Sequence, residues 1–284
     1  MERVDFEVIA SGFAFAEAPR VADDGSVYFS DLTGGGYYRC APDGSVATIV
    51  SDRLWIGGAV LDESGWVICS GKGGLIAVHP ESRETRPILT TIDGAPIIAI
   101  NDIEADGRGG LFGGTVDFAA VFERGEAPSG GHFFHLSAGG DVRILRDGLV
   151  VSNGLGFSPD GKRLYHSEST KGIWAYALDG DGMPGSPTLF AAMEDSDGLA
   201  VDCEGGVWVC CWQRAEIRRY LPSGVLDRTL TLPFPHLVSL TFGGPDMSDL
   251  YVTTGSNPDH PQKGGLVRFR SGIRGLKAMK ARLL

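Results

Sequence analysis

The sequence predicts an all-β fold, a six-bladed β-propeller with four-stranded blades, and three observations carry that reading. First, an Asp/Gly-rich turn followed by a short β-type run recurs six times along the 284 residues. The copies are DDGSVYFSD at 23–31, DESGWVICS at 62–70, DGRGGLFGG at 106–114, PDGKRLYHS at 159–167, DCEGGVWVC at 202–210 and PDMSDLYVT at 245–253. Second, the first apolar residues after these turns are Val27, Trp66, Leu111, Leu164, Val207 and Leu250. They lie 39 to 53 residues apart, which is the period of a propeller blade. Third, 42 glycines and 15 prolines, spread without a triplet period, mark many turns and leave little room for helices.

The remaining strands of each blade flank these turns. Short apolar runs such as Gly154–Phe157 and Gly198–Val201 precede them. After them come Gly36–Cys40, Leu75–His79, His132–Leu136, Ile173–Leu178, Ile217–Leu221 and Leu266–Arg270. A second turn, Pro42-Asp43-Gly44-Ser45 in the first repeat, leads into a last strand, there Val46–Val50. The sixth repeat runs out near residue 270 without a fourth strand, and Val4–Ala10 has strand character. The N-terminal strand is therefore expected to close the last blade. Glu123–Gly131 reads as a surface loop, and the basic stretch from Arg274 to Arg282 as a solvated surface helix. Residues 1–284 are expected to form a single β-propeller domain.

Composition excludes several classes of function. With 25 basic and 36 acidic residues the net charge is −11, which opposes a phosphate backbone and argues against nucleic acid as a partner. No apolar run approaches the roughly 18 residues needed to cross a membrane. Met1-Glu2-Arg3-Val4-Asp5 lacks the basic and apolar regions of a signal peptide, so neither membrane insertion nor secretion is expected. Five cysteines without a CxxC pair fit reduced thiols and a cytoplasmic location. Asp179-Gly180-Asp181-Gly182 begins like an EF-hand loop, but Met183 and Phe190 occupy its fifth and twelfth positions.

The repeat phase locates a candidate site. The innermost strand of each blade starts at one mouth of the central channel, so residues in equal phase converge there. Ten residues before the markers stand Glu17, Asn101 and Asp197; in the fourth repeat, whose turn is one residue longer, eleven steps give Asn153. The other two repeats offer Ile56-Gly57 and Ser239-Leu240, which bring no strong ligand. Two unpaired buried carboxylates would repel each other, and a cation removes that repulsion. Oxygen donors of these types suit a hard divalent ion such as Ca²⁺, Mg²⁺ or Mn²⁺. Asn and Asp are also common turn formers, and each residue taken singly admits that reading. The strand after each turn returns to the same mouth, which nominates Asp31, Lys72, Asp117, Glu168 and Trp212 for the pocket wall. Lys72 could meet a substrate carboxylate, and Trp212 could cover an apolar or sugar face. His166 reads either as a proton carrier or as a buried packing residue.

These residues resemble the regucalcin, senescence-marker-protein and gluconolactonase family of six-bladed propellers over nearly the whole chain. Ala16-Glu17-Ala18-Pro19 is similar to its G-E-G-P segment, and Asn101-Asp102 with Asp106 and Gly113-Gly114-Thr115 to its N-D-x-x-x-D and G-T pair. Ser152-Asn153-Gly154-Leu155 with Ser158-Pro159-Asp160-Gly161 is similar to S-N-G-(L/I) and S-P-D-G. Asp197-Gly198-Leu199-Ala200-Val201-Asp202 and Phe242-Gly243-Gly244 complete the series. The resemblance implies that Glu17, Asn153 and Asp197 bind one divalent metal ion, Ca²⁺ foremost, with Zn, Mn, Mg and Fe open. It places Asn101 beside the metal or in the substrate pocket. Asp117, Lys72 and Trp212, nominated by repeat position, are the further substrate-binding candidates. The implied reaction is metal-dependent hydrolysis of a small lactone. Asp197 is then either the base that takes a proton from water or a ligand alone. Departures from the pattern are Ala99 for an arginine, Ala119 for an acid, Arg20 for an aromatic and Glu168 for an aspartate. They point from gluconolactone toward a less hydroxylated lactone or another ester. A monomer or homodimer acting on a small-molecule lactone is expected. A non-catalytic calcium-binding propeller and a protein-interaction propeller are the alternatives.

Overall fold

In the computed structural model, which describes residues 2–261 and 263–284, the strands form six four-stranded antiparallel blades. The inner strands are Ala16–Val21, Ala59–Leu61, Ala99–Ala105, Val151–Phe157, Ser196–Val201 and His236–Gly243 for blades one to six. The strands that follow the Asp/Gly turns, Val27–Asp31 and Leu111–Val116 among them, pair directly with these and return to the mouth where the inner strands begin.

The turns recur because one carboxylate organises each of them. Asp202 Oδ1 accepts the amide N–H of Glu204 at 2.9 Å and of Gly206 at 2.8 Å. Asp106 Oδ1 does the same for Arg108 and Gly110 at 2.7 and 2.9 Å. Such Asx turns replace backbone pairing where the chain reverses. Gly205, at φ +80°, takes the left-handed step that completes the reversal.

Hydrophobic burial lies between neighbouring blades. Val60, Ile68 and Leu75 of blade two meet Ile100, Ile103 and Phe134 of blade three. Trp208 and Ile217 of blade five meet Leu240, Phe242 and Val252 of blade six in the same way. Each blade face thus depends on its neighbour, and the ring has to close.

Closure joins the two ends of the chain. Glu7–Phe13 pairs antiparallel with Gly264–Arg270 as the outer strand of blade six, with Glu7 opposite Arg268 and Phe13 opposite Gly264. The strand begins later than the expected Val4–Ala10 because the preceding residues have other partners. Phe6 stacks edge-on against Phe234 at 5.4 Å, and Glu2–Arg3 runs parallel to Leu230–Thr231 on the rim of blade five.

The basic C-terminal stretch is not a helix, contrary to the expectation for Arg274 to Arg282. It crosses the face of the ring opposite the inner-strand mouth as extended chain. The Gly275 N–H reaches Met247 O at 2.7 Å, Leu276 reaches Val201 O at 3.2 Å, and Ala281 reaches Leu61 O at 2.9 Å. Leu276 packs on blades four and five, while Met279 and Leu283 pack on blades two and three. The apolar spacing that looks helical serves two separate docking points, so tertiary contact overrides propensity. Among the described residues the only helical turn is Ala120–Arg124 in blade three, and no helix is long and apolar enough to cross a membrane.

Removing residues 275–284 uncovers these contacts and leaves Asp62 Oδ2 without the Leu283 N–H that it accepts at 2.9 Å. The expected loss is on the order of 4 kcal/mol, or roughly 10 °C in Tm by thermal denaturation. A truncated chain melting within a degree or two of the full chain would show that the tail is not docked.

Candidate active site in the central channel

Five of the six inner strands carry one extra residue at the same depth. Glu17 and Arg20 oppose Ser30 and Tyr28, so three steps on the inner strand match two on its partner. The same slip occurs at Ile100/Ile103, Ser152/Leu155, Ser196/Leu199 and Leu237/Leu240. A bulge turns the strand and re-aims its side chains, and here it coincides with the polar residues of the repeat phase.

Glu17, Asn101, Asn153 and Asp197 meet at this level. Asn153 Nδ2 donates to Ser169 Oγ at 2.7 Å and to Ser196 O at 3.4 Å, which orients Oδ1 away from them. Asn101 Nδ2 reaches that oxygen at 2.5 Å and also donates to Ser152 O at 2.7 Å. Glu17 Oε2 accepts the Ala18 N–H at 2.7 Å. Ala18 lies at φ +52°, in the left-handed region, which is the physical reason for a glycine in the G-E-G-P pattern at this point.

The electrostatics are unfavourable without a positive partner. Burial pushes the Glu17 carboxyl well above the usual carboxylate range, and the charges of Asp197 and Asp102 push it further. Asp197 is raised in the same way, by burial first and by Asp102 second. Only 3% of Glu17 and 7% of Asp197 is exposed, so solvent does little to relieve them. Asp102 is a member of this cluster that repeat counting did not select. Burial takes it up to about 7 against the pull of the Arg20 guanidinium, and its Oδ2 has no hydrogen-bond partner. The Asn101-Asp102 pair at a bulge was the available signal, since strict alternation would place only one of them in the channel. Arg20 is the second omission. It lies deeper, where Nη2 meets Glu104 Oε2 at 2.9 Å and Ile103 O at 3.0 Å.

Close approach of the inner strands accounts for glycines both in blade two, which offers no ligand, and beside the ligands of blades four and five. A Cβ on Gly57 would stand 1.8 Å from Asn101 Oδ1, so blade two contributes the space that Asn101 occupies. On Gly154 and Gly198 a Cβ would meet the Leu199 amide nitrogen and Ser239 Oγ at 2.1 Å each.

The nominated wall residues have other partners. Asp117 Oδ1 accepts the Ala120 N–H at 2.9 Å and Oδ2 pairs with Arg124 at 2.9 Å, which holds its carboxyl below the ordinary value. Lys72 Nζ, half exposed, bonds Glu123 at 2.7 Å and lies 4.4 Å from the Trp55 ring centre. Asp31 accepts the amides of Ala14, Phe15 and Gly34. Glu168 accepts from Arg146 at 2.8 Å and from Trp174 Nε1 at 2.9 Å. Trp212 sits at the mouth, with its ring 5.4 Å from His236. His166 is fully buried, with Nε2 2.7 Å from Ser152 Oγ, and burial lowers it to about 3, so it is a neutral packing residue. A cavity of about 330 Å³ opens at the opposite end of the channel, between Arg20, Glu104 and Leu276–Met279.

Among the described residues no group of three or more His, Cys, Asp or Glu side chains is disposed to hold a metal ion. The candidate donor set is of another kind, two carboxylates and a carboxamide. Asn153 Oδ1 keeps a lone pair after the Asn101 bond, and Glu17 keeps Oε1. All-oxygen donors with two mutually repelling acids fit a hard divalent cation.

A six-bladed propeller with acids and carboxamides converging in its channel defines the class, and comparison with known proteins gives the family. Residues 15–256 match the family described as SMP-30/Gluconolactonase/LRE-like region, and the chain belongs to it. Regucalcin of Xenopus laevis is 29% identical over 289 residues, covering 95% of each chain. A 6-deoxy-6-sulfogluconolactonase of Pseudomonas putida is 28% identical over 80% of this chain and 78% of that relative. A pentonolactonase of Haloferax volcanii is 26% identical over 82% and 78%. Among solved structures, the calcium-binding protein regucalcin from Agrobacterium tumefaciens superposes with a TM-score of 0.87, at 20% identity over 99% and 98% of the two chains. That likeness supports the six-bladed architecture.

Gly57→Ala is expected to displace Asn101 and cost about 1–3 kcal/mol of stability in a denaturant titration, although its backbone would accept alanine. Unchanged stability would mean that the two strands are further apart. A second expectation concerns acid. His166 is neutral in the fold and protonates near pH 6.5 when unfolded, so stability is lost as pH falls from about 6.5 toward 3. Compared with His166→Gln, the wild-type chain should lose about 3 kcal/mol more between pH 7 and pH 4. Parallel stability curves for the two proteins would contradict the buried neutral imidazole.

Proposed function

We propose that this protein is a metal-dependent lactonase, which opens a small cyclic ester by adding water to its carbonyl carbon. The observation that carries this reading is the buried, mutually repelling pair Glu17 and Asp197, at the level where Asn153 Oδ1 accepts only the Asn101 amide, with no salt bridge to either acid among the described residues. Its relatives named as a pentonolactonase and a sulfogluconolactonase support the reaction class. The regucalcin structure described as calcium-binding supports a divalent ion.

Glu17, Asn153 and Asp197 would hold one divalent cation, with Ca²⁺ foremost and Zn, Mn, Mg or Fe as alternatives. When bound, such an ion polarises a carbonyl and acidifies water. Asn101, whose Oδ1 faces Gly57 across the channel, would orient the lactone beside it. Asp197 would take the proton from the attacking water with the carboxylate oxygen not engaged as ligand. Water oxygen then bonds the carbonyl carbon, the ring C–O bond breaks, and the alkoxide leaves as a hydroxyl after taking a proton. The product is a hydroxy acid, which releases a proton at neutral pH. We place the reaction in one propeller domain spanning the chain, as a monomer or homodimer. A reducing cytoplasm suits its five free cysteines.

Acid release in a pH-stat across a lactone panel tests the reaction. Metal-dependent turnover that a chelator abolishes is expected, with Asp197→Asn and Glu17→Gln each slowing it by about 100-fold or more. The same variants carry a readout independent of activity. Glu17→Gln removes a buried repulsion, so the chelated protein should melt higher than chelated wild type while losing the rise in Tm that added Ca²⁺ or Mn²⁺ gives. Metal-induced stabilisation without acid release from any lactone would favour a calcium-binding propeller. Absence of both would favour an interaction propeller.

A further inference from the structure

The mouth above Glu17 and Asp197 is aromatic, and its charged groups are already spoken for. From blade five round to blade three, Trp212, His236, Phe15, Trp55, Phe118 and Phe122 follow one another along the rim. Trp212 lies 5.4 Å from His236, and His236 lies 5.9 Å from Phe15. Phe15 packs on the cluster of Leu32, Trp55, Val116 and Phe118. Trp55 is 6.1 Å from Phe118 and 6.2 Å from Phe122, and the two phenylalanines are 5.2 Å apart. This arc lies above the ligand level. Phe15 precedes Glu17 by two residues, Trp55 stands two before Gly57, and Ala99 at the start of its strand pairs with Val116.

Two features separate this arc from ordinary packing. Phe122 is 45% exposed at the head of the channel, on a single helical turn held by Asp117. Trp55 adopts φ +65°, a left-handed conformation that a bulky residue avoids at a cost of about 1–2 kcal/mol. Its N–H is tied to Leu32 O at 2.8 Å, and the strained backbone holds the buried indole beneath Phe122 and against Phe118.

Recognition of a polyhydroxylated ring needs polar groups free to bond hydroxyls, because discrimination by hydrogen bonding depends on partners left unpaired without the substrate. Here Asp31, Asp117, Glu168 and Lys72 are each bonded to the protein itself. Ala119 brings only a methyl group, and Ala99 is fully buried. Resting on the lactonase reading above, we infer that the substrate is a lactone carrying an aryl or alkyl substituent, which the exposed Phe122 ring covers, backed by the buried Trp55 and Phe118.

The test compares glucono-δ-lactone with dihydrocoumarin and δ-decalactone in the metal-loaded enzyme. The apolar lactones should exceed glucono-δ-lactone in kcat/KM by about tenfold or more. Phe122→Ala should raise KM for dihydrocoumarin about tenfold with kcat within about twofold, and Phe122→Leu should recover most of the loss. Preference for glucono-δ-lactone overturns this inference and leaves the lactonase reading standing. If no lactone turns over, the reaction reading fails, and binding decides the pocket by itself. The lactam 3,4-dihydro-2-quinolinone should then quench tryptophan fluorescence where gluconolactam does not. Equal or absent quenching by both overturns the apolar mouth.

Discussion

Six strands that share one axis crowd each other's backbones, and this crowding governs the channel. Where inner strands touch, a side chain has no volume to occupy: the Leu199 amide nitrogen lies 2.1 Å from where a Cβ of Gly154 would be. Glycine at those points lets the strands close, and the extra residue beside it turns the neighbouring side chain inward. Polar groups then project from several blades into a narrow space. The functional candidates are therefore a by-product of the geometry that seals the ring, and a methyl group on Gly57 is as consequential as a lost carboxylate.

The same crowding sets up a conflict of charge. Glu17, Asp102 and Asp197 are buried together, and one guanidinium, that of Arg20, offsets Glu17 and Asp102 while also serving Glu104. Close interblade packing supplies the free energy that keeps these acids confined. Sites that store such electrostatic strain are where chemistry is usually found, because the strain is released when a suitable ion or transition state arrives.

The architecture was legible because each blade repeats the same turn. Asp202 and Asp106 organise their loops through identical amide contacts, so the period is written in Asp and Gly. Phase counting reached Glu17, Asn101, Asn153 and Asp197 because blades are nearly equivalent by rotation. It passed over Asp102 and Arg20 because a bulge breaks the alternation on which counting relies. It nominated Asp117 and Lys72 from position alone, without sight of Arg124 and Glu123, which engage them through loop geometry. The C-terminal stretch departs from the expected helix for a related reason. Leu276, Met279 and Leu283 have helical spacing, but their partners lie on different blades, and contacts of that range leave no periodic trace.

The pairing of Glu7–Phe13 with Gly264–Arg270 has a kinetic side. Glu7 and Arg268, neighbours in the finished sheet, are 261 residues apart along the chain. Contacts so distant in sequence form slowly, because the loop they close has to be ordered before it is rewarded. Until then blade six has three strands, and Gly264–Arg270 presents a row of free N–H and C=O groups to any extended chain nearby. A second molecule caught at the same stage could offer its own N-terminal strand, giving an exchanged dimer with every native bond made between chains. Whether a refolding mixture yields monomers or such pairs then depends on a race between ring closure and encounter, and protein concentration decides the winner.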